Sequence, residues 1–287
     1  MATLCAAGPC FAAPAAGGAR LALTACRLEH PSHLVSVQAQ CGYLSVPENP
    51  FAANGRGRQI RLFVARIPAV SLHARPDPLF LLAGGPGAAA ATLYTEAAAP
   101  FARIHRDRDI VLVDQRGTGR SNGLFCKSED DASLGSGTGS STLGPEPSTS
   151  AVVADARQCL AALSKHADVA FYTTSVAVRD LDRVRAALGY GKIDLYGVSY
   201  GTRVAQEYLR RFPRHVRAVI LDGVVPPQIA LGAALPLNAQ HALDAIFTRC
   251  IQDRACDARF GDPAAMSHRL RSALALAPVQ VQLADPT

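Results

Sequence analysis

The stretch LYGVSYGT, residues 195–202, decides how this chain folds. Ser199 stands in a G-x-S-x-G frame between Gly197 and Gly201. The apolar run Ile193–Val198 precedes it, and a stripe of Val204, Tyr208 and Phe212 follows, stopped by Pro213. A strand that turns into a helix through such a frame must bend sharply at the serine. Glycines on either side let strand and helix approach without Cβ clashes. The serine then stands at the carboxyl end of its strand, over a helix N-terminus whose positive end favours a developing oxyanion. Alone the frame is weak, because it recurs by chance; between a strand and a helix it marks a nucleophile.

Other runs supply the rest of the sheet. Gly42 to Val46 and Ile60 to Ile67 lead in, the second with the alternation Ile60, Leu62, Val64. Leu79–Ala83, Ile110–Asp114, Ile193–Val198 and Val216–Asp222 are apolar on both faces, as expected of parallel strands covered by helices. Between them lie helical stripes at Val152, Ala156, Cys159 and Leu163, and at Ala177, Leu181, Val184 and Leu188, the latter closed by Gly189. Alternating strands and helices predict a doubly wound, mostly parallel sheet. Residues 128–150, rich in Gly, Ser and Thr, predict a mobile surface loop. Their Gly135-x-Gly137-x-Gly139 follows no strand and opens no helix, so it does not read as a nucleotide loop. After Asp222 a loop rich in Pro and Gly leads into helical segments near 238–251 and 263–276.

Two further motifs follow strands. Leu82-Ala83-Gly84-Gly85-Pro86-Gly87 is a turn that exposes backbone N–H groups beside the serine. The N–H groups of Gly85 and Tyr200 are the expected oxyanion hole. Asp114-Gln115-Arg116-Gly117-Thr118-Gly119-Arg120-Ser121 reads as a tight, ion-paired loop supporting that turn. Gly84, Pro86, Gly87, Asp114, Arg116, Gly197 and Gly201 thus take supporting roles. Singly, the two motifs would pass for ordinary strand-to-helix turns; together with Ser199 they do not.

In this order the three motifs resemble the α/β-hydrolases of the proline iminopeptidase and tripeptidyl aminopeptidase group. Phe171-Tyr172-Thr173-Thr174 and Leu221-Asp222-Gly223 match the same group. The histidine usual before G-G-P-G is Ala83 here. The resemblance covers roughly residues 40–285 and implies a serine exopeptidase, or sometimes an esterase, with a helical cap. Composition and pattern divide the chain into an Ala-rich leader at 1–25, a hydrolase core at 40–225 and the start of a helical cap at 226–287. In that family an Asp and a His follow the cap, so the last strands and both partners of Ser199 are expected to lie outside these residues. His215 belongs to the far edge of the sheet, roughly 15–20 Å from Ser199 at 1.5 Å per helical residue. His241 and His268 read as solvated cap residues. Asp222 lies on the same edge as Ser199 and is expected to hydrogen-bond nearby backbone. Negligible turnover by these 287 residues alone follows. An aminopeptidase needs carboxylates for the substrate's ammonium, and Asp244, Asp253, Asp257 and Asp262 are the acids available in the cap.

Bulk composition bounds the alternatives. The chain is 49% hydrophobic, and no apolar run reaches the roughly 18 residues of a membrane span. Its formal charge of +6 comes from arginines mixed with acids, such as Arg179, Arg183 and Arg185 beside Asp180 and Asp182. That mixture reads as solvated helix faces and not as a nucleic-acid surface. Cys5 and Cys10 lie in an Ala-rich leader; the others form the local pairs Cys26 with Cys41, Cys126 with Cys159, and Cys250 with Cys256. An even count without C-x-x-C favours an oxidising compartment and hence export to the periplasm or beyond; reduced thiols in the cytoplasm remain the alternative. The leader has an A-x-A-like Ala13-Pro14-Ala15, but no cation precedes Arg20. Arg20 also falls in the apolar part of a lipoprotein-like Leu23-Thr24-Ala25-Cys26, which leaves Cys26 to a disulfide. Serine acyl transfer requires no cofactor and no metal. The substrate expected is a short peptide; an ester is the second choice, and a non-catalytic remnant or binding protein the third. Oligomeric state is not legible.

Overall fold

The structure is a computed structural model that describes residues 21–30, 35–52, 57–126, 148–230, 232, 234–277 and 279. Residues 1–20, with Cys5, Cys10 and most of the expected leader, lie outside the described residues, as do 128–147 of the expected loop. Two compact units emerge: one of residues 1–124 and 163–226, the other of 125–162 and 227–287.

The first unit is built on seven strands: β1 (Thr24–Glu29), β2 (Ser36–Pro47), β3 (Gln59–Ile67), β4 (Leu79–Leu82), β5 (Ile110–Val113), β6 (Ile193–Val198) and β7 (Val216–Asp222). They run in the order β1-β2-β3-β5-β4-β6-β7. The first three join antiparallel, β3 is antiparallel to β5, and β5, β4, β6 and β7 are parallel. Strand β1 went unread because Thr24–Glu29 mixes a cysteine and charges with its apolar residues. It starts within the stretch expected to be leader.

Alternation along the strands sends side chains to two cores. Phe80, Leu82, Val111, Val113 and Leu195 face one side with Val178, Leu181 and Val184 of α4 (Thr174–Ala187) and Val204 and Tyr208 of α5 (Tyr200–Arg211). Leu79, Leu81, Ile110 and Leu112 face the other, with Ala90 and Tyr94 of α1 (Ala90–Glu96) and with Phe101, which leads into α2 (Ala102–Asp107). Burying each large apolar side chain contributes roughly 1.5–3 kcal/mol. Both faces of the central strands are therefore covered, which is the doubly wound arrangement. Strand β7 differs from its two-sided pattern. It is outermost among the described strands, with Ile220 and Leu221 exposed.

The second unit is helical: α3 (Thr149–Leu163, nearly all of it), α6 (Leu235–Gln252), α7 (Arg254–Phe260) and α8 (Pro263–Leu276). Asp253 caps α7 by accepting from the N–H groups of Ala255 and Cys256, and Asp262 caps α8 by accepting from Ala265. Two of the four acids offered for ammonium binding thus serve their own helices. Disulfides join Cys26 to Cys41, Cys126 to Cys159 and Cys250 to Cys256. The first staples β1 to β2; the third ties α6 to α7. Each shortens the chain's free loops in the unfolded state.

One reading from composition is corrected. Asp180 is not on a solvated face but is 2% exposed, because α4 turns it inward toward Arg116. The guanidinium Nε donates to Asp180 Oδ2 at 2.7 Å and Nη2 to Oδ1 at 3.0 Å. Nη1 donates to the carbonyls of Glu48 and Phe171, and Nη2 also to that of Pro47. All five N–H bonds of a buried guanidinium are thereby used. Arg116→Met would strand a buried carboxylate at a cost of roughly 3–5 kcal/mol. Thermal unfolding followed by circular dichroism should show a melting temperature about 10 °C lower or more. Arg116→Met combined with Asp180→Leu should recover most of that loss.

Candidate active site

Strand β6 delivers Ser199 at its carboxyl end, and α5 begins at the next residue. The serine has φ 53° and ψ −119°, a conformation L-residues avoid, at a cost of order 1–3 kcal/mol. Neighbouring contacts hold it there. Its N–H donates to the Asp222 carbonyl at 2.8 Å, and its own carbonyl accepts the Thr202 hydroxyl at 2.6 Å. That hydroxyl also accepts the N–H of Val225 at 2.8 Å, tying the bend to the segment after β7. A Cβ on Gly201 would overlap the Leu82 carbonyl, and one on Gly197 would overlap the Gly201 carbonyl. Only bare backbone lets α5 cross the strand ends so closely.

The turn after β4 comes up against the serine. A Cβ on Gly84 would lie 3.1 Å from Ser199 Cβ and 3.6 Å from its Oγ. Gly85 follows with φ 101° and precedes Pro86 through a cis peptide bond. Strand β4 pairs directly with β6, Leu82 opposite Gly197, so the G-G-P-G turn and the serine bend share one sheet edge. Ser199 itself is exposed.

The third motif braces this edge from behind. Asp114, 1% exposed, accepts from the N–H of Ala91 at 3.2 Å and of Arg120 at 3.1 Å. It is held by backbone and forms no ion pair in the described structure; the loop's buried ion pair runs through Arg116. Burial pushes the Asp114 carboxyl upward, and the two N–H groups and the Arg120 cation pull against that. Ser121 accepts the N–H of Phe63, stitching the loop to β3. Sequence reading noted Tyr172 in a family stretch but missed its pairing with Glu48. The Tyr172 hydroxyl donates to Glu48 Oε1 at 3.0 Å, and burial followed by that partner pushes the phenol up to about 12. Their separation of 124 residues left no local signal.

The polar residues offered as partners of Ser199 lie as follows. His215 ends the turn before β7, and Val216 pairs with Ile193, so this histidine is at the amino edge of the strands, away from Ser199. Its Nδ1 meets Asp182 Oδ1 at 2.7 Å. Burial alone would raise Asp182; donation from Arg185, Tyr208 and His215 outweighs it and holds the carboxyl below its ordinary value. Asp222 stands on the serine's edge, its carboxylate accepting the Tyr196 hydroxyl at 2.9 Å. His241 and His268 lie on α6 and α8 of the second unit. Among the described residues no group of three His, Cys, Asp or Glu could hold a metal ion, and no helix is long and apolar enough to cross a membrane.

A strained serine at a strand–helix bend, a glycine turn beside it and a two-sided parallel sheet together define a hydrolase scaffold. Residues 77–245 match the model of the alpha/beta hydrolase fold, and the chain belongs to that family. It is 33% identical over 201 residues to a tripeptidyl aminopeptidase of Streptomyces lividans, covering 66% of this chain and 36% of that protein. It is 32% identical over 218 residues to the serine protease Hip1 of Mycobacterium tuberculosis, covering 71% and 39%. A carboxylesterase B of Mycobacterium tuberculosis is 33% identical over 225 residues, covering 76% and 41%. The chain thus spans about two-fifths or less of the length of these relatives.

The elbow makes a direct prediction. Gly201→Ala should lower the melting temperature by roughly 5 °C or more, because the methyl group meets backbone that cannot yield. Gly191→Ala, with nothing within 4 Å of its Cβ, should leave it unchanged.

Proposed function

We propose that this chain carries the nucleophile half of a serine hydrolase, an exported aminopeptidase that releases N-terminal residues from short peptides through an acyl-enzyme. The bend at Ser199, with Gly84 packed against its side chain, is the observation that carries this. Ser199 Oγ attacks the substrate carbonyl, and the N–H groups of Gly85 and Tyr200 receive the oxygen as it gains charge. The start of α5 adds its dipole to that stabilisation. Gly197 and Gly201 set the bend, Gly84, Pro86 and Gly87 shape the turn, and Asp114 and Arg116 brace it. The peptidase names of two relatives support the peptide substrate. Three disulfides support an oxidising compartment.

A general base must take the Ser199 proton, and His215 is committed to Asp182 at the other edge. Without such a base Ser199 is a weak nucleophile. The core spans roughly 40–225, and the helices after 226 begin the cap. An esterase on the same scaffold is the second reading, favoured by the carboxylesterase relative.

Peptide mapping after prolonged exposure to a fluorophosphonate tests the nucleophile. Ser199 should carry the adduct, and Ser199→Ala should lower labelling at least tenfold. Tripeptidyl anilide hydrolysis by these residues should stay at the Ser199→Ala background. Labelling that persists in the variant would refute the assignment.

A further inference from the structure

We propose that a cavity beside the oxyanion turn is a side-chain subsite that selects an uncharged residue of moderate size. The inference rests on Ser199 being the nucleophile and adds to it what the site accepts. The cavity holds about 210 Å³. Pro86 and Gly87 of the glycine turn form one wall, Tyr200, the residue after the nucleophile, another, and the loop after β5 with Leu124, Tyr172 and Ala177 a third. Two of its walls thus belong to the segments that flank the oxygen of an attacked carbonyl. The side chain on the α-carbon next to that carbonyl is the group best placed to enter.

Size and charge define the occupant. A cavity of about 150 Å³ already takes benzene, so this one accommodates a leucine-, proline- or phenylalanine-sized group. Arg116 is the one charged residue among those that line it, and Asp180 with three backbone carbonyls saturates its donors. A carboxylate side chain would find that cation already committed. An ammonium would find no carboxylate in the lining. Of the neutral polar groups in the lining, Thr118 donates to the Gln115 carbonyl at 2.9 Å, Tyr172 donates to Glu48 and Tyr200 pairs with Thr174, which leaves the Thr173 hydroxyl and the Gln115 amide to face an occupant. Entering a charge would cost desolvation with no opposite charge free to offset it. The substrate's N-terminal ammonium is accordingly read elsewhere.

The test separates binding from chemistry. Amide spectra of the Ser199→Ala chain are recorded during titration with N-acetyl-leucinamide and with the amides of N-acetyl-aspartate and N-acetyl-lysine. The leucine probe should shift the amides of Gly87, Gly117 and Thr173 with a Kd at least tenfold below either charged probe. Ala88→Phe, at an exposed position of the lining, should abolish those shifts and leave the remaining spectrum intact. Should Ala88→Phe disturb the fold, Ala88→Leu gives the same reading with a smaller intrusion. Equal affinity for charged and uncharged probes, or full binding in Ala88→Phe, would overturn the proposal. Fluorophosphonate labelling of Ser199 without side-chain selectivity would sink the subsite alone. Selectivity without labelling would leave a binding pocket and sink the serine-hydrolase reading.

Discussion

Helix α5 crosses the carboxyl ends of β4 and β6 so closely that Gly201 lies against the Leu82 carbonyl and Gly197 against the Gly201 carbonyl. No side chain fits between them, and the rest of the site follows from that contact. With the helix pressed onto the sheet, Ser199 has no relaxed route from strand to helix and takes φ 53°. The strain is held by bonds on both sides, from its N–H to Asp222 and from Thr202 to its carbonyl. Because β4 pairs with β6, the same contact draws Gly84 against the serine side chain.

Beneath this edge buried charges serve as braces. Arg116 ties the loop after β5 to α4 and to the carbonyls before and after it in the chain. Asp114 ties the same loop to the start of α1. If Ser199 reacts as proposed, its edge must hold donors in place while charge develops, and fixed partners supply that rigidity. His215 and Asp182, a pair that looks catalytic by residue type, serve the opposite edge, where they fasten α4 and α5 to the start of β7.

Much of this was legible in sequence because its causes are local. A two-sided apolar run, a glycine pair around a serine and a proline stop each act within a few residues, so the strands from β2 to β7 and the helices α3, α4, α5, α6 and α8 were foreseen. The disulfide pairing followed from proximity in sequence. Strand β1 escaped because its pattern is broken by polar residues, and helix α1 because Ala90–Glu96 is too short to show a stripe. Asp180 was misjudged because its neighbours are charged; its burial depends on Arg116, 64 residues away. The cavity is a product of packing between the turn, the loop and α4, and no periodicity encodes it. The relatives, of which the match covers about two-fifths or less, agree with the scaffold and with a hydrolase.

The central claim concerns where charge is stabilised. A crystal structure of the chain with a diethyl phosphoryl group on Ser199 tests it most directly. The account predicts the phosphoryl oxygen within about 3 Å of both the Gly85 and the Tyr200 N–H groups, as a developing oxyanion requires. An oxygen turned away from both donors would contradict it.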